Sequence, residues 1–256
     1  MLERTFSHVP GVGRTTEAAL WNQGCHDWTC YLSEPDRYKI GGASRDIFTQ
    51  TIARSQRALE EGEHQYFARA LTAADAWRAW PAFKDKCLYL DIETDGGPFG
   101  SSITVIGMYD GAQFKALIQD QDLEEFRDEI SKYSMVVTFF GSGFDIPMLQ
   151  KRFRGQWFDH IHLDLCFALK RLGYRGGLKK IEAQLGIVRA ANTLGLSGQD
   201  AIFLWNRHLR GDPTALQTLV DYNREDVINM ERLANIAYEG LLAQALSGVV
   251  VTEPMP

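Results

Sequence analysis

The spacing of apolar positions separates an N-terminal part of helical character from a mixed part that begins near residue 85. Residues 1–35 place a Pro-Gly-Val-Gly turn before an amphipathic stretch, which predicts a small helical unit. Residues 36–84 have helical spacing and predict a helical connector. One side of this connector is expected to pack through Ile47, Ile52, Leu59, Phe67, Leu71, Trp77 and Trp80.

From Cys87 the period changes to that of β-strands. Short apolar runs at 87–93, 103–109 and 114–118, with the Asp110-Gly111 turn between the last two, predict an antiparallel meander. A helix at 122–132, a strand at 135–139, a helix that opens near Asp145 and a strand at 160–163 follow, and the remainder has helical spacing. This order predicts an α/β domain with a mixed sheet and flanking helices over 85–240, and a C-terminal tail over 241–256.

The last long helix has a clear predicted start. Asp212 has the side chain of an N-cap residue, and Pro213 suits the first helical position. The face expected to pack on the rest of the domain runs through Leu216, Leu219, Val220, Asn223, Val227, Met230 and Leu233.

The composition of the 256 residues is that of a globular protein, with 45% hydrophobic and 23% charged residues. No apolar run approaches the roughly 18 to 20 residues that cross a bilayer, and the first residues lack the organisation of a signal peptide. The four cysteines form no C-x-x-C pair, which argues against a disulfide framework or a four-thiolate zinc site. We therefore expect a cytoplasmic protein without a membrane partner.

The formal net charge of −6 conceals an uneven distribution. Residues 81–146 carry twelve acids against five bases, whereas residues 151–180 carry eight Lys or Arg against two acids. An acidic stretch followed by a basic one fits a site that holds metal ions beside phosphate. Solvated helix surfaces would give the same counts, so charge alone leaves both interpretations open.

Two acids stand in the first predicted strand. Asp91 and Glu93 are two positions apart, so both side chains point to the same face of the sheet. Buried carboxylates without a partner destabilise a fold, and a divalent cation is the simplest compensation. Strand ends also expose acids, so this pair is informative only together with other features.

Two further acids complete the pattern. Asp145 follows a buried strand in G-S-G-F-D-I-P-M-L and would lie at a helix N-terminus, where a capping role alone is sufficient. In the last helix, Tyr222 and Asp226 are four residues apart and share a face beside the apolar stripe. An acid in that position needs a partner.

The segments L-D-I-E-T, G-x-x-F-D-x-P-x-L and Y-N-x-E-D-V occur in this order. They resemble the three exonuclease motifs of the DnaQ-like 3'-5' exonucleases, which have the ribonuclease H-like fold. The resemblance covers residues from about 85 to 237 and is strongest to the YprB-like predicted exonuclease group. Together the three motifs are specific, whereas each alone is not.

The resemblance implies a metal-dependent 3'-5' exonuclease of the DEDDy type that acts on nucleic acid, DNA more than RNA. It makes Asp91, Glu93, Asp145 and Asp226 ligands of two Mg²⁺ or Mn²⁺ ions, and Tyr222 the residue that positions the attacking water. Phe140 departs from the family pattern, because Asn usually stands five residues before the second-motif Asp. This departure sustains an alternative, a nuclease fold that serves only as a nucleic-acid-binding adaptor.

Two other segments are candidate nucleic-acid contacts. The turn with Gly11 and Gly13 resembles the hairpin of a helix-hairpin-helix motif, whose backbone amides bind DNA phosphates, but a structural cap would look the same. Lys179 and Lys180 in G-G-L-K-K could meet a phosphate at a helix start, or belong to an ordinary loop before a helix.

A binuclear-hydrolase pattern is also present in part. His160, His162 and Asp164 alternate as in H-x-H-x-D, but no further His follows. We expect Asp164 to be a helix N-cap and the two histidines to lie at the surface or to pack on the strand.

Overall fold

A computed structural model describes residues 1–97, 102–155 and 158–247. Its centre is a five-stranded sheet in the order β3-β2-β1-β4-β5. The strands are β1 Cys87–Thr94, β2 Ile103–Tyr109, β3 Phe114–Ile118, β4 Met135–Thr138 and β5 Ile161–Asp164. β1, β2 and β3 pair antiparallel, while β4 is parallel to both β1 and β5. The predicted α/β class and meander are confirmed.

Eleven α-helices fall within the described residues. Those before the sheet are α1 Arg14–Asn22, α2 Trp28–Ser33, α3 Arg45–Glu60, α4 His64–Ala70 and α5 Trp80–Phe83. The others are α6 Phe126–Ile130, α7 Asp145–Arg152, α8 Leu165–Arg171, α9 Leu178–Gln184, α10 Gly198–Leu209 and α11 Ala215–Leu246. The predicted helix at 122–132 is a 3-10 turn, Leu123–Glu125, followed by the short α6.

Alternation along β1 decides which face its acids occupy. Leu88 and Leu90 pack with residues of α6 and α7 on one side of the sheet. Cys87 and Tyr89 point to the other side and share a core with apolar residues of α11. Asp91 and Glu93 have the parity of Cys87 and Tyr89, so both acids point to the α11 side.

The N-terminal region packs on the same side of the sheet. Its buried residues Phe6, Trp28 and Phe67 belong to one apolar cluster with Met135 and Leu163 of the sheet. The boundaries expected at residues 35 and 84 remain predictions, because the core is continuous across them. Ile47 was expected in the packed face of the connector, but it is 50% exposed and Phe48 is buried in its place.

The last helix begins two residues later than predicted. Asp212 is not its N-cap: the Asp212 carboxylate accepts hydrogen bonds from the backbone and hydroxyl of Thr214, which precedes the first helical residue, Ala215. The helix continues to Leu246, beyond the boundary expected at 240, and residues 248–256 lie outside the described part. None of the helices in the described ranges has the length and apolar character that crossing a membrane requires.

Candidate active site

The four acids singled out by the sequence meet in one open pocket. The pocket has a volume of about 660 Å³ and is lined by Asp91, Glu93, Asp145 and Asp226 together with Tyr222. Oxygen atoms of Asp91, Glu93 and Asp226 lie within 4.8 Å of one another. The structure therefore brings together residues from β1, α7 and α11 that are far apart in the chain.

The long helix α11 positions Asp91. The Asn223 side-chain amide donates a hydrogen bond to the Asp91 carboxylate at 3.0 Å. Gly107 is the β2 partner of Asp91, and a Cβ there would stand 1.7 Å from the Asn223 amide oxygen. The absence of a side chain at Gly107 thus allows Asn223 to reach the strand.

Asp145 joins α7 to the central strand. It is the first residue of α7, it is 3% exposed, and its carboxylate accepts a hydrogen bond from the Ile92 backbone amide at 3.0 Å. Ile92 lies between the two acids of β1, so this bond fixes α7 against the strand at the level of the site. Asp145 is outside the tightest group of three acids but lines the same pocket.

Asp226 has a cationic partner. Its carboxylate is 2.5 Å from the Arg189 guanidinium, and the same guanidinium forms two hydrogen bonds with Glu182, at 2.6 and 2.7 Å. All three side chains are buried. One cation thus neutralises two buried acids in part, and Asp226 keeps an oxygen on the pocket side with Asp91 and Glu93.

Lys179 and Lys180 have different surroundings. Lys179, in α9, donates a hydrogen bond to the Tyr222 hydroxyl, and its ammonium lies 4.0 Å from the centre of the tyrosine ring. Its charge also lowers the pKa of Asp91, Glu93 and Asp226. Lys180 is exposed, with its aliphatic chain beside Gly176. Of the two lysines, Lys179 contacts a residue of the pocket.

Burial and mutual repulsion shift the ionisation of the acids. Desolvation raises the pKa of Glu93 to about 8, and Asp226 adds to the shift. Desolvation also raises the pKa of Asp145 to about 7, against the hydrogen bond from Ile92. The pKa of Asp91 is raised by burial and then by Asp145 and Asp226. Burial raises the pKa of Asp226 as well, although Arg189 opposes this shift.

These acids fit divalent cations. Glu93 is 7% exposed, and one of its oxygens is buried without a hydrogen-bond partner from any residue that the structure describes. An all-oxygen set of carboxylates is the donor type that Mg²⁺ and Mn²⁺ prefer. A bound cation would offset the desolvation and repulsion that raise these pKa values.

Aromatic side chains border the acids. Phe140 and Phe144 line the pocket and are 49% and 43% exposed. Phe140 has a φ of +64°, a conformation that Asn adopts more readily than Phe. Its ring lies 6.2 Å from that of Phe167, which is also exposed. The departure from the family motif therefore places an aromatic ring at the pocket edge.

The remaining candidates lie elsewhere. Gly11 and Gly13 are exposed and are not among the residues that line the acid pocket. Gly11 has a φ of +84° and lies against Gly42, whose carbonyl oxygen would be 2.1 Å from a Cβ. Contact of this turn with DNA stays a prediction.

His160, His162 and Asp164, at and just before β5, have separate hydrogen-bond partners. Asp164 is the N-cap of α8 as predicted, and its carboxylate also accepts hydrogen bonds from Phe140 and Ser142. His162 is hydrogen-bonded to the Thr138 hydroxyl, at 2.9 Å. His160 is hydrogen-bonded to the Ile130 carbonyl, at 3.0 Å.

Several residues of the site were not found from the sequence. Asn223 was placed in the packed face of the last helix without a functional role. Its position as a single amide among apolar residues was the feature that could have indicated such a role. Nothing in the sequence marked Arg189 as a site residue. Its partner Asp226 is 37 residues later (226 − 189), and the sequence does not show how the helix that carries Asp226 packs. Phe144 lies inside the second motif, but its exposure becomes visible only in the structure.

Comparison with known families defines the class of the protein. The model of the RNase_H superfamily matches residues 88–238, more than half of the 256-residue chain, and the chain belongs to this superfamily. The matched range contains all four acids and Tyr222. Membership supports a nuclease-type function with nucleic acid as substrate.

Among solved structures, the chain is similar to the family B DNA polymerase from the hyperthermophilic archaeon Pyrobaculum calidifontis. The TM-score is 0.44 and the sequence identity 16%, over 63% of this chain. The chain spans about a quarter of that polymerase, 24% of its length. No curated protein matches the chain.

Proposed function

We propose that the protein is a DnaQ-like nuclease of the DEDDy type, which removes nucleotides from the 3' end of DNA with the help of two Mg²⁺ or Mn²⁺ ions. One observation carries the proposal: four acids from three elements converge in one open pocket, where one oxygen of Glu93 has no hydrogen-bond partner in the ranges 1–97, 102–155 and 158–247. Burying so many acids together is costly to the fold. A metal-dependent function explains why the chain maintains this arrangement.

Asp91, Glu93, Asp145 and Asp226 are the residues that would hold the ions. When bound, two such ions supply a water of lowered pKa and stabilise both the attacking and the leaving oxygen of a phosphodiester. Asn223 orients Asp91 towards this task, and Ile92 does the same for Asp145. Arg189 holds Asp226 in place and favours its ionised form, against the burial that raises its pKa.

Tyr222 orients the attacking water in this proposal. Burial raises the pKa of Tyr222, so the hydroxyl keeps its proton and is no general base at neutral pH. Since the phenol oxygen accepts a hydrogen bond from Lys179, its own proton is available to the water or to a phosphate oxygen. Lys179 also places a positive charge where the phosphate charge develops during cleavage.

The aromatic rings at the rim favour a frayed or single-stranded end as the substrate. Every base has a flat face that stacks on an aromatic ring, with about 1–3 kcal/mol per base. Phe140 and Phe144 offer such rings beside the acids. Bases paired within a duplex are stacked on each other and do not offer their faces.

The test compares 3'-labelled and 5'-labelled single-stranded DNA, each with Mg²⁺, Mn²⁺ or EDTA. Wild-type protein should shorten the DNA stepwise from the 3' end with either ion, and EDTA should abolish this. Asp226→Ala should lose the activity. Asp221→Ala is the matched control, because Asp221 is an acid five residues before Asp226 on α11 and is not among the residues that line the pocket.

Two outcomes would contradict the proposal. Internal cuts, or shortening from the 5' end, would retain the metal site but exclude the 3' exonuclease. Binding of DNA without cleavage in either metal would favour the adaptor. A parallel assay on RNA of the same sequence decides which nucleic acid is the better substrate.

A further inference from the structure

A second group of metal-ligating side chains lies outside the acid pocket. It consists of His64, the first residue of α4, and the consecutive residues Asp159 and His160 before β5. One ligand atom from each of the three lies within 4.8 Å of the other two. None of the three lines the acid pocket. The group connects the N-terminal region with the edge of the sheet.

The hydrogen bond of His160 defines which of its ring nitrogens is free. The His160 side chain is 2% exposed, and its Nε2 lies 3.0 Å from the Ile130 carbonyl oxygen. A carbonyl only accepts, so Nε2 must carry the proton. In the neutral ring Nδ1 then has a free electron pair, and it is buried with no hydrogen-bond partner among the described residues.

The Nε2 atom of His64 faces the same Asp159 carboxylate as His160 Nδ1 does. Within the part of the chain that the structure describes, His64 Nε2 is also buried without a hydrogen-bond partner. This nitrogen is 3.7 Å from the Asp159 carboxylate, and His160 Nδ1 is 3.9 Å from the same oxygen. Both distances exceed those of hydrogen bonds. Two buried nitrogens and a carboxylate therefore surround one point without bonding to each other.

We propose that His64, Asp159 and His160 bind a first-row transition-metal ion of the zinc type, with water as the fourth ligand. Zinc bonds to imidazole nitrogen and carboxylate oxygen are about 2.0–2.2 Å long, so one ion reaches both atoms of pairs 3.7 and 3.9 Å apart. The hydrogen bond from His160 Nε2 to a backbone carbonyl is the support that metal-bound histidines commonly have.

The donor set separates this site from the acid pocket. Two imidazoles and one carboxylate suit zinc and its neighbours, whereas Mg²⁺ prefers oxygen ligands alone. The position indicates a structural role, because an ion here would fasten α4 to the strand that begins at Ile161. Metal binding at this place should stabilise the docking of the N-terminal region without taking part in cleavage.

The test titrates Zn²⁺ into the 256-residue protein after bound metal has been removed. Excess Mg²⁺ is present to occupy the acid pocket. Calorimetry should show one equivalent of Zn²⁺, and Co²⁺ in its place should give the absorption bands of a low-coordinate site. His64→Ala and Asp159→Ala should each weaken this binding at least tenfold and remove the rise in Tm that Zn²⁺ produces. Asp159 is 49% exposed, so its substitution leaves the core intact.

His162→Ala is the matched control, since His162 is a nearby histidine that already has a partner in Thr138. It should bind Zn²⁺ as the wild type does. Asp91→Asn separates the two sites, and it too should keep the zinc equivalent. Absence of Zn²⁺ binding in excess Mg²⁺, or equal binding by wild type, His64→Ala and Asp159→Ala, would overturn the proposal.

Discussion

Asn223 reaches from the long helix α11 to the central strand and donates a hydrogen bond to Asp91 at 3.0 Å, across 132 residues of sequence. This bond fixes one of the two carboxylate oxygens of Asp91 and leaves the other for the pocket. Substitution of a residue that orients a metal ligand in this way typically lowers metal affinity or activity by about 10- to 100-fold. Asn223 is therefore a positioning residue in the proposed site.

Asn223→Ala should weaken Mg²⁺ binding and lower kcat/KM on DNA, each by about 10- to 100-fold, because Asp91 loses its orienting donor. Calorimetric titration of Mg²⁺ and single-strand cleavage assays measure the two effects. Asn235→Ala is the control on the same helix, since Asn235 is exposed and its side chain donates a hydrogen bond to a backbone carbonyl of that helix. Identical Mg²⁺ titrations for Asn223→Ala and wild type would show that the hydrogen bond has no such role.

Gly107→Ala should disturb the same contact from the opposite side. The added methyl would stand 1.7 Å from the Asn223 side chain, so either the helix or the amide must move. We expect a loss of about 1–3 kcal/mol in the free energy of unfolding, together with reduced cleavage. Denaturant unfolding measures the loss. Gly198→Ala, where a Cβ meets nothing within 4 Å, should leave stability nearly unchanged.

Local patterns predicted the strands and the acids of the site well. The runs at 87–93, 103–109 and 114–118 correspond to β1, β2 and β3, and the two-residue spacing correctly put Asp91 and Glu93 on one face. These features depend on the period of a strand, which is a property of neighbouring residues. Contacts such as Arg189 with Asp226 depend on how distant elements pack, and no period in the sequence encodes them.

The sequence-based predictions were wrong where neighbouring residues could each take the same structural role. Asp212 has a capping side chain, but it closes a turn on Thr214 instead, and the helix starts at Ala215. Ile47 and Phe48 are adjacent on α3, and the larger side chain occupies the core. Such choices depend on the shape of the partner surface, which the sequence does not contain.

Phe140→Asn should restore the residue that the resembled family usually has here and test the stacking proposal. The backbone at φ +64° suits Asn better than Phe, which offsets the lost contact with Phe167. We therefore expect stability to change by less than about 1 kcal/mol. The KM for single-stranded DNA should rise about tenfold, because one stacking surface is removed.

Phe203→Ala is the control for Phe140→Asn, since Phe203 is 58% exposed and does not line the acid pocket. Its KM should equal that of wild type. A lower KM in Phe140→Asn would mean that the aromatic ring obstructs the substrate. Steady-state cleavage of single-stranded DNA over a range of concentrations distinguishes these results.

The raised pKa values predict how stability depends on pH when metal is absent. Burial raises the pKa of Glu93 to about 8 and that of Asp145 to about 7, above the values of about 4 expected in the unfolded chain. These two acids thus bind more protons in the folded than in the unfolded chain between about pH 4 and pH 8. Their contribution to the free energy of unfolding should fall as the pH rises through this range.

In EDTA, the Tm of the wild type relative to that of Glu93→Gln, measured by circular dichroism, should therefore be higher at pH 5.5 than at pH 8.5. The comparison of the two proteins cancels the opposite contribution of histidines such as His8 and His162, whose pKa is lowered by burial. Mg²⁺ should raise the Tm more at pH 8.5, where the acids are ionised and bind the ion without releasing protons. Glu93→Gln should also reduce the response to Mg²⁺, whereas Glu239→Gln, at an exposed position of α11, should match the wild type at both pH values. A difference in Tm between wild type and Glu93→Gln that rises from pH 5.5 to pH 8.5 in EDTA would contradict the raised pKa of Glu93.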